Sequence, residues 1–266
     1  MSKRNAQSGN RGGDASEGSI LAVAVGNTSV FVGVFSARGR GKAFRIDPAE
    51  LVHLPRKAGA GVTCAAVCSV VPALTPDVVR LIRRAWGIDA KVLSAQAKHG
   101  LEIAYRRPAE FGADRVAAAL GARSRYGGKN LIVVDCGTAT TVTAIAANGG
   151  VAGGAILPGA ALWPEALATK TALLPRVALR RPAAAVGRSP REAIVSGCYY
   201  GQVGAIRELV ARVRGEVFAK EKAIVLGTGG NAALFESEGL FDRIEPRLVL
   251  EGLAEFARER RSISRG

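Results

Sequence analysis

From residue 20 to residue 35 the chain is apolar and rich in β-branched side chains, broken once by the polar run Gly-Asn-Thr-Ser at 26–29. That pattern predicts a strand, a tight turn and a second strand. Residues 131–146, LIVVDCGTATTVTAIA, follow the same plan with Gly-Thr-Ala-Thr-Thr at the break. Superposing the two turn glycines sets Gly26 on Gly137, Asn27 on Thr138 and Ala24 on Asp135. The repeat distance of about 110 residues is close to half the chain, which predicts two similarly built lobes rather than a solenoid.

Between the hairpins, VTCAAVCSVV (62–71) reads as a buried strand. PDVVRLIRRAW (76–86) reads as an amphipathic helix with Val78, Val79, Leu81 and Ile82 inward. The alanine-rich segment 113–127 predicts a helix closed by Gly127 and Gly128. Farther on, glycines and prolines bracket a helix within 153–175, residues 190–215 are helical, 223–230 form a strand, and a last helix starts at Leu248. Alternating strands and helices predict α/β architecture. The division is a tail at 1–18, an N-terminal lobe at 19–128 and a C-terminal lobe at 129–266. Residues 1–18 hold almost no apolar side chains and cannot offset their own ordering entropy.

Composition narrows the function classes. No segment combines a basic start, an apolar stretch and a small-residue cleavage site, and none reaches the roughly 18 apolar residues of a membrane span, so a cytoplasmic protein is expected. The cysteines, Cys64, Cys68, Cys136 and Cys198, lack zinc-site spacing and read as free thiols. His53 and His99 are too few for a histidine metal site and are expected in solvated loops. The net charge of +15 admits an anionic partner. Its arginines are scattered, however, and no helix-turn-helix, zinc finger or aromatic RNA-binding pair accompanies them, so nucleic acid is not the first expectation.

The glycine turns carry the chemistry. Small residues between two strands expose successive backbone N–H groups and let an anion approach, while Thr and Asn add donors. Two such turns facing each other could hold a polyphosphate, with LGTGGN at 226–231 as a third close approach against a nucleoside. Each glycine could equally serve only to shape its hairpin. No GxxxxGK[ST] loop or dinucleotide fingerprint is present.

VGNTSVFVGVF (25–35), SVVP (69–72), YRRPAEFGADR (105–115), DCGTATT (135–141), GGAILPG (153–159), SGCYYG (196–201), TGG (228–230) and LEGL (250–253) stand in an order and spacing that resembles type III pantothenate kinases. The resemblance implies an actin-like, sugar-kinase-like fold of two ribonuclease-H-like lobes with a cleft between them. It also implies a homodimer that phosphorylates pantothenate with ATP in the first step of coenzyme A biosynthesis. Asp114 then matches the general base, a role a carboxylate near an alcohol can fill, and a helix N-cap role is compatible with its place at the helix start and could hold simultaneously. Tyr105, Gly112, Ala113, Asp114, Arg115 and Pro190 match substrate positions, and Arg115 offers a planar fork for a carboxylate or phosphate. Val25, Gly26, Asn27, Thr28, Ser29 and Thr138 match ATP positions, and Asp135 the carboxylate that binds a monovalent cation, K+ or NH4+.

Three positions depart from the family pattern. Ala24 stands where an aspartate helps position Mg2+ and the phosphates, Ala117 where an asparagine follows the base motif, and Pro190 where a substrate-contacting threonine is found. A methyl group cannot ligate a hard cation. Two further readings follow: a catalytically impaired member acting as a binding or regulatory protein, accessory to transcription with nucleic acid as a partner, or a kinase with another acceptor.

Overall fold

The computed structural model describes residues 18–36, 38–219 and 221–258. The tail expected at 1–18 lies, apart from Gly18, outside the described residues. Two five-stranded sheets dominate. The first is built from β1 (Ser19–Val25), β2 (Val30–Phe35), β3 (Gly41–Ile46), β4 (Val62–Ser69) and β5 (Lys91–Val92), in the order β3-β2-β1-β4-β5. Its helices are α1 (Leu54–Ala58) and α2 (Thr75–Trp86). Helix α3 (Ala113–Tyr126) leads to the second sheet.

That sheet contains β6 (Asn130–Cys136), β7 (Ala139–Ile145), β8 (Val151–Pro158), β9 (Ala223–Thr228) and β10 (Arg243–Ile244), in the order β10-β9-β6-β7-β8. Read from the other edge, this is the connectivity of the first sheet. In each, two antiparallel neighbours follow the central strand on one side and two parallel ones lie on the other. The repeat extends to single residues. Ala24 pairs with Phe31 on β2 and Cys68 on β4, while Asp135 pairs with Thr141 on β7 and Thr228 on β9.

Helix α4 (Leu162–Lys170) and α5 (Pro190–Phe218) belong to the second half, and α6 (Leu248–Arg258) closes the described chain. α6 returns from the second half to pack on α3, β1 and β4. The α3–α6 pair therefore lies in a core shared by both sheets, with Ala22 and Ala66 on one side and Leu131 and Val133 on the other. Small residues allow this: Val116–Ala119 are alanines and one valine, all buried, and Gly121 and Gly252 bring the two helix backbones together. A Cβ on Gly121 would collide with the carbonyl of Leu248, and one on Gly252 with that of Ala117.

The helix bounds follow the hydrophobic pattern. α2 buries Val78 and Ile82 while Val79 and Leu81 are half-buried. The short strands β3, β5 and β10 carry no clean alternation, and β3 is an edge strand with exposed Gly41, Lys42 and Arg45. His99 corrects the expectation of a solvated loop residue: it is only 4% exposed. Its Nδ1 accepts the Leu101 N–H at 3.1 Å and its Nε2 lies 3.2 Å from the Ala95 carbonyl, so the loop satisfies both ring nitrogens internally. Among the described residues, all four cysteines are free and no helix is long and apolar enough to cross a membrane.

Candidate active site

The strand ends of both sheets and the start of α3 enclose a cleft of about 420 Å³. Three turns converge on it: residues 26–29 after β1, residues 137 and 138 after β6, and residues 228–230 at the end of β9. The first two meet, with the Thr28 and Thr138 hydroxyl oxygens 3.0 Å apart. In the third, Gly229 adopts φ +85°, and a Cβ there would collide with the Asp135 carboxylate and the Cys136 backbone. Glycine is required at that position on both counts.

Asp135 is the penultimate residue of β6, half-buried beneath these turns. Among the described residues no hydrogen bond to its carboxylate is present, and no group of three His, Cys, Asp or Glu is placed to hold a metal ion. Burial, and then the charge of Asp114, push its carboxyl pKa up from 3.8 to about 7, while Arg45 opposes the shift. The same surroundings raise neighbouring thiols. Cys68 is pushed far up by burial and then by Asp114 and Asp135, and Cys136 reaches about 12 through burial and then Asp135.

Asp114 lies in the first turn of α3, and the N-cap is Gly112, so the N-cap role considered for Asp114 is corrected. Its carboxylate accepts the Arg115 N–H at 2.8 Å. It folds back over the helix start because Gly112 has no Cβ to meet it. A carboxylate here is favoured by the helix N-terminus and faces the cleft.

Arg115 is only 5% exposed. Its guanidinium donates to the Tyr105 hydroxyl at 2.7 Å, the Thr143 hydroxyl at 3.1 Å and the Val142 carbonyl at 3.3 Å, and it lies 4.4 Å over the Phe111 ring. These contacts replace the hydration of a buried cation with fixed dipoles and a π face.

Of the residues singled out from sequence, Val25, Gly26, Asn27, Thr28, Ser29, Tyr105, Gly112, Asp114, Arg115, Asp135 and Thr138 all line the cleft. Ala113 stands between two lining residues without lining it. Pro190 is not part of the cleft. It is the first residue of α5, behind the N-cap Ser189, whose hydroxyl accepts the Glu192 N–H. That position suits proline because the helix needs no N–H there. Pro190 lines a separate apolar groove of about 840 Å³ with Leu162, Trp163, Leu167, Leu174 and Ile194. Pro190 therefore lies apart from the other positions expected to contact substrate, which, Ala113 aside, line the cleft.

Sequence reasoning missed Arg45, Phe31, Cys68 and Glu110, which also line the cleft. Arg45 reaches the cleft through the pairing of β2 and β3, where it stands opposite Phe31 beside the first turn, a placement that its position among scattered basic residues does not signal.

A family profile described as type III pantothenate kinase matches residues 20–212. A type III pantothenate kinase of Legionella pneumophila (strain Corby) is 40% identical over 248 residues, covering 88% of this chain and 96% of the relative. One from Dehalococcoides mccartyi (strain CBDB1) is 35% identical over 249 residues, covering 88% and 93%. Among solved structures, a Baf family structure from Campylobacter jejuni superposes with TM-score 0.60 at 18% identity, covering 91% of this chain and 100% of that one. The archaeal actin homolog Ta0583 does so with TM-score 0.54 at 12% identity, covering 91% and 99%. The fold is thus the two-lobed actin-like and sugar-kinase-like one, and the chain belongs to the type III pantothenate kinase family.

Proposed function

We propose that the protein is an ATP-dependent pantothenate kinase, transferring the γ-phosphoryl group to the pantothenate hydroxyl to give 4'-phosphopantothenate. One observation carries the reading: three glycine turns, Asp114 and Asp135 converge on a single cleft between two copies of the same sheet. Backbone N–H groups of the first two turns hold the phosphates, with the hydroxyls of Thr28 and Thr138 as further donors. Asp114 accepts the hydroxyl proton as the oxygen bonds to the γ-phosphorus. The bond from phosphorus to the bridging oxygen breaks, and ADP leaves with that electron pair. Tyr105, Gly112 and Arg115 line the acceptor side. Three of the five Arg115 donors are already bound, so its charge acts from a fixed position.

Asp135 suits a monovalent cation, K+ or NH4+: its carboxylate has no hydrogen-bond donor among the described residues, and its raised pKa marks negative charge that a cation would relieve. Mg2+ would be held by the nucleotide phosphates with Asp114 or Asp135, since Ala24 supplies no oxygen. A bound cation supplies charge neutralisation of the phosphates. The apolar groove lined by Leu162, Trp163, Leu167 and Leu174 supports a homodimer as part of this reading. Light scattering on Leu162→Glu tests it, with a shift from dimer to monomer expected.

The Ala24 methyl favours a second reading, a family member that binds nucleotide but turns over slowly or serves as a regulatory protein. Phosphopantothenate formation from ATP, Mg2+ and K+, measured beside Asp114→Ala, separates the two. Turnover that disappears in Asp114→Ala supports the kinase; an inert native chain supports the second reading.

A further inference from the structure

A triphosphate entering this cleft meets three acidic side chains, Glu110, Asp114 and Asp135, and two basic ones, Arg45 and Arg115. Arg115 is buried and engaged with Tyr105, Thr143 and the Val142 carbonyl. Arg45 is different. It is exposed to the cleft from β3 and has no carboxylate within ion-pair distance among the described residues. One of its five N–H donors is used, by the Ser29 hydroxyl at 3.0 Å.

Its placement is built by the neighbouring strand and turn. Arg45 pairs with Phe31 across β2 and β3, and its guanidinium carbon lies 4.4 Å from the centre of the Phe31 ring. The ring and the Ser29 hydroxyl together hold the planar group above the first turn, which lowers the rotamer entropy it would lose on gripping a ligand. The outer edge faces the second lobe: a Cβ on Gly230 would lie 3.6 Å from Nη2. With no side chain at Gly230, that edge borders open cleft between the first and third turns.

We propose that Arg45 is a nucleotide-contacting residue whose guanidinium donates to the phosphate oxygens of the bound nucleoside triphosphate, anchored on the first turn by Ser29 and Phe31 and facing Gly230 across the cleft. The inference rests on the phosphoryl-transfer reading above and adds a residue to it. A forked, permanently charged donor suits phosphate oxygens better than any other side chain. It also supplies positive charge on the lobe where Ala24 leaves the first turn without a cation ligand.

The test is calorimetric titration of native protein, Arg45→Met and Arg45→Lys with MgATP and, separately, with adenosine, all without pantothenate. Arg45→Met should weaken MgATP binding roughly 10–100-fold and leave adenosine binding within about twofold, with Arg45→Lys between. In the phosphopantothenate-formation assay the KM for ATP should rise while the KM for pantothenate holds. Equal MgATP affinity in native protein and Arg45→Met overturns the proposal. An equal loss for MgATP and adenosine also overturns it, because that marks a packing role against Phe31. A native protein that binds MgATP in this Arg45-dependent way but never phosphorylates pantothenate would sustain the proposal and overturn the kinase reading alone. Failure of the native protein to bind MgATP overturns both.

Discussion

Asp135→Asn removes a titration that the empty fold resists. In the unfolded chain the carboxyl loses its proton near 3.8, and in the folded protein it does so at about 7. Between those values the folded chain holds a proton that the unfolded chain has released. Stability therefore falls as pH rises through the window, and the loss is complete above about 7. From pH 5 to pH 8 the linkage amounts to at most about 3 kcal/mol. Asp135 is half-buried and borders the open cleft, where water relieves part of the burial cost, so we expect about 1–2 kcal/mol. Urea denaturation of the ligand-free native protein and of Asp135→Asn, at several pH values across this range, measures the difference. The native protein should lose stability relative to the variant as pH rises, with the two nearest at pH 5. Parallel curves, or a native protein gaining on the variant above pH 7, would refute the reasoning. Potassium chloride in place of choline chloride at equal ionic strength should narrow the gap at pH 8, because a cation held by ionised Asp135 offsets its cost.

Ala24→Asp places a further carboxylate in a cleft that already holds Asp114 and Asp135, so it should lower the melting temperature of the empty protein. With Mg2+ present it should raise phosphopantothenate turnover by roughly 10²–10⁴-fold; an unchanged rate would show that the missing oxygen is supplied elsewhere. Arg115→Met strands the Thr143 hydroxyl and the Val142 carbonyl and frees Tyr105, which should cost about 2–4 kcal/mol in chemical denaturation. Loss of less than about 0.5 kcal/mol would mean that water fills the gap. Burial keeps Cys68, Cys136 and Cys198 as thiols at pH 8, so iodoacetamide followed by mass spectrometry should label the folded protein at Cys64 alone, and all four sites after unfolding. Rapid labelling of Cys68 without unfolding would mean that the cleft opens beyond the geometry described.

The parts of this molecule written in period and punctuation could be read directly. β1 and β6 are apolar runs ended by glycine turns, and aligning those turns placed Ala24 opposite Asp135, as the strand registers do. Pro190 illustrates the limit. A motif position locates a residue along the chain, while the helix start that uses proline and the groove it lines depend on packing. Arg45 shows the converse, since nothing in the spacing of a scattered basic residue says that an edge strand brings it over Phe31. His99 was misread because a loop can satisfy a ring internally, and short strands such as β5 exist only through their neighbours.

The doubled sheet offers two equivalent seats for a carboxylate, and this chain fills only the one on β6. With a methyl group at Ala24, a guanidinium at Arg45 and a carboxylate at Asp135, the two like halves of the cleft present different chemistry at its turns. Two sheets of one connectivity thus enclose a cleft that is not symmetric, so a ligand that bridges the turns meets a methyl group at one of the equivalent positions and a carboxylate at the other.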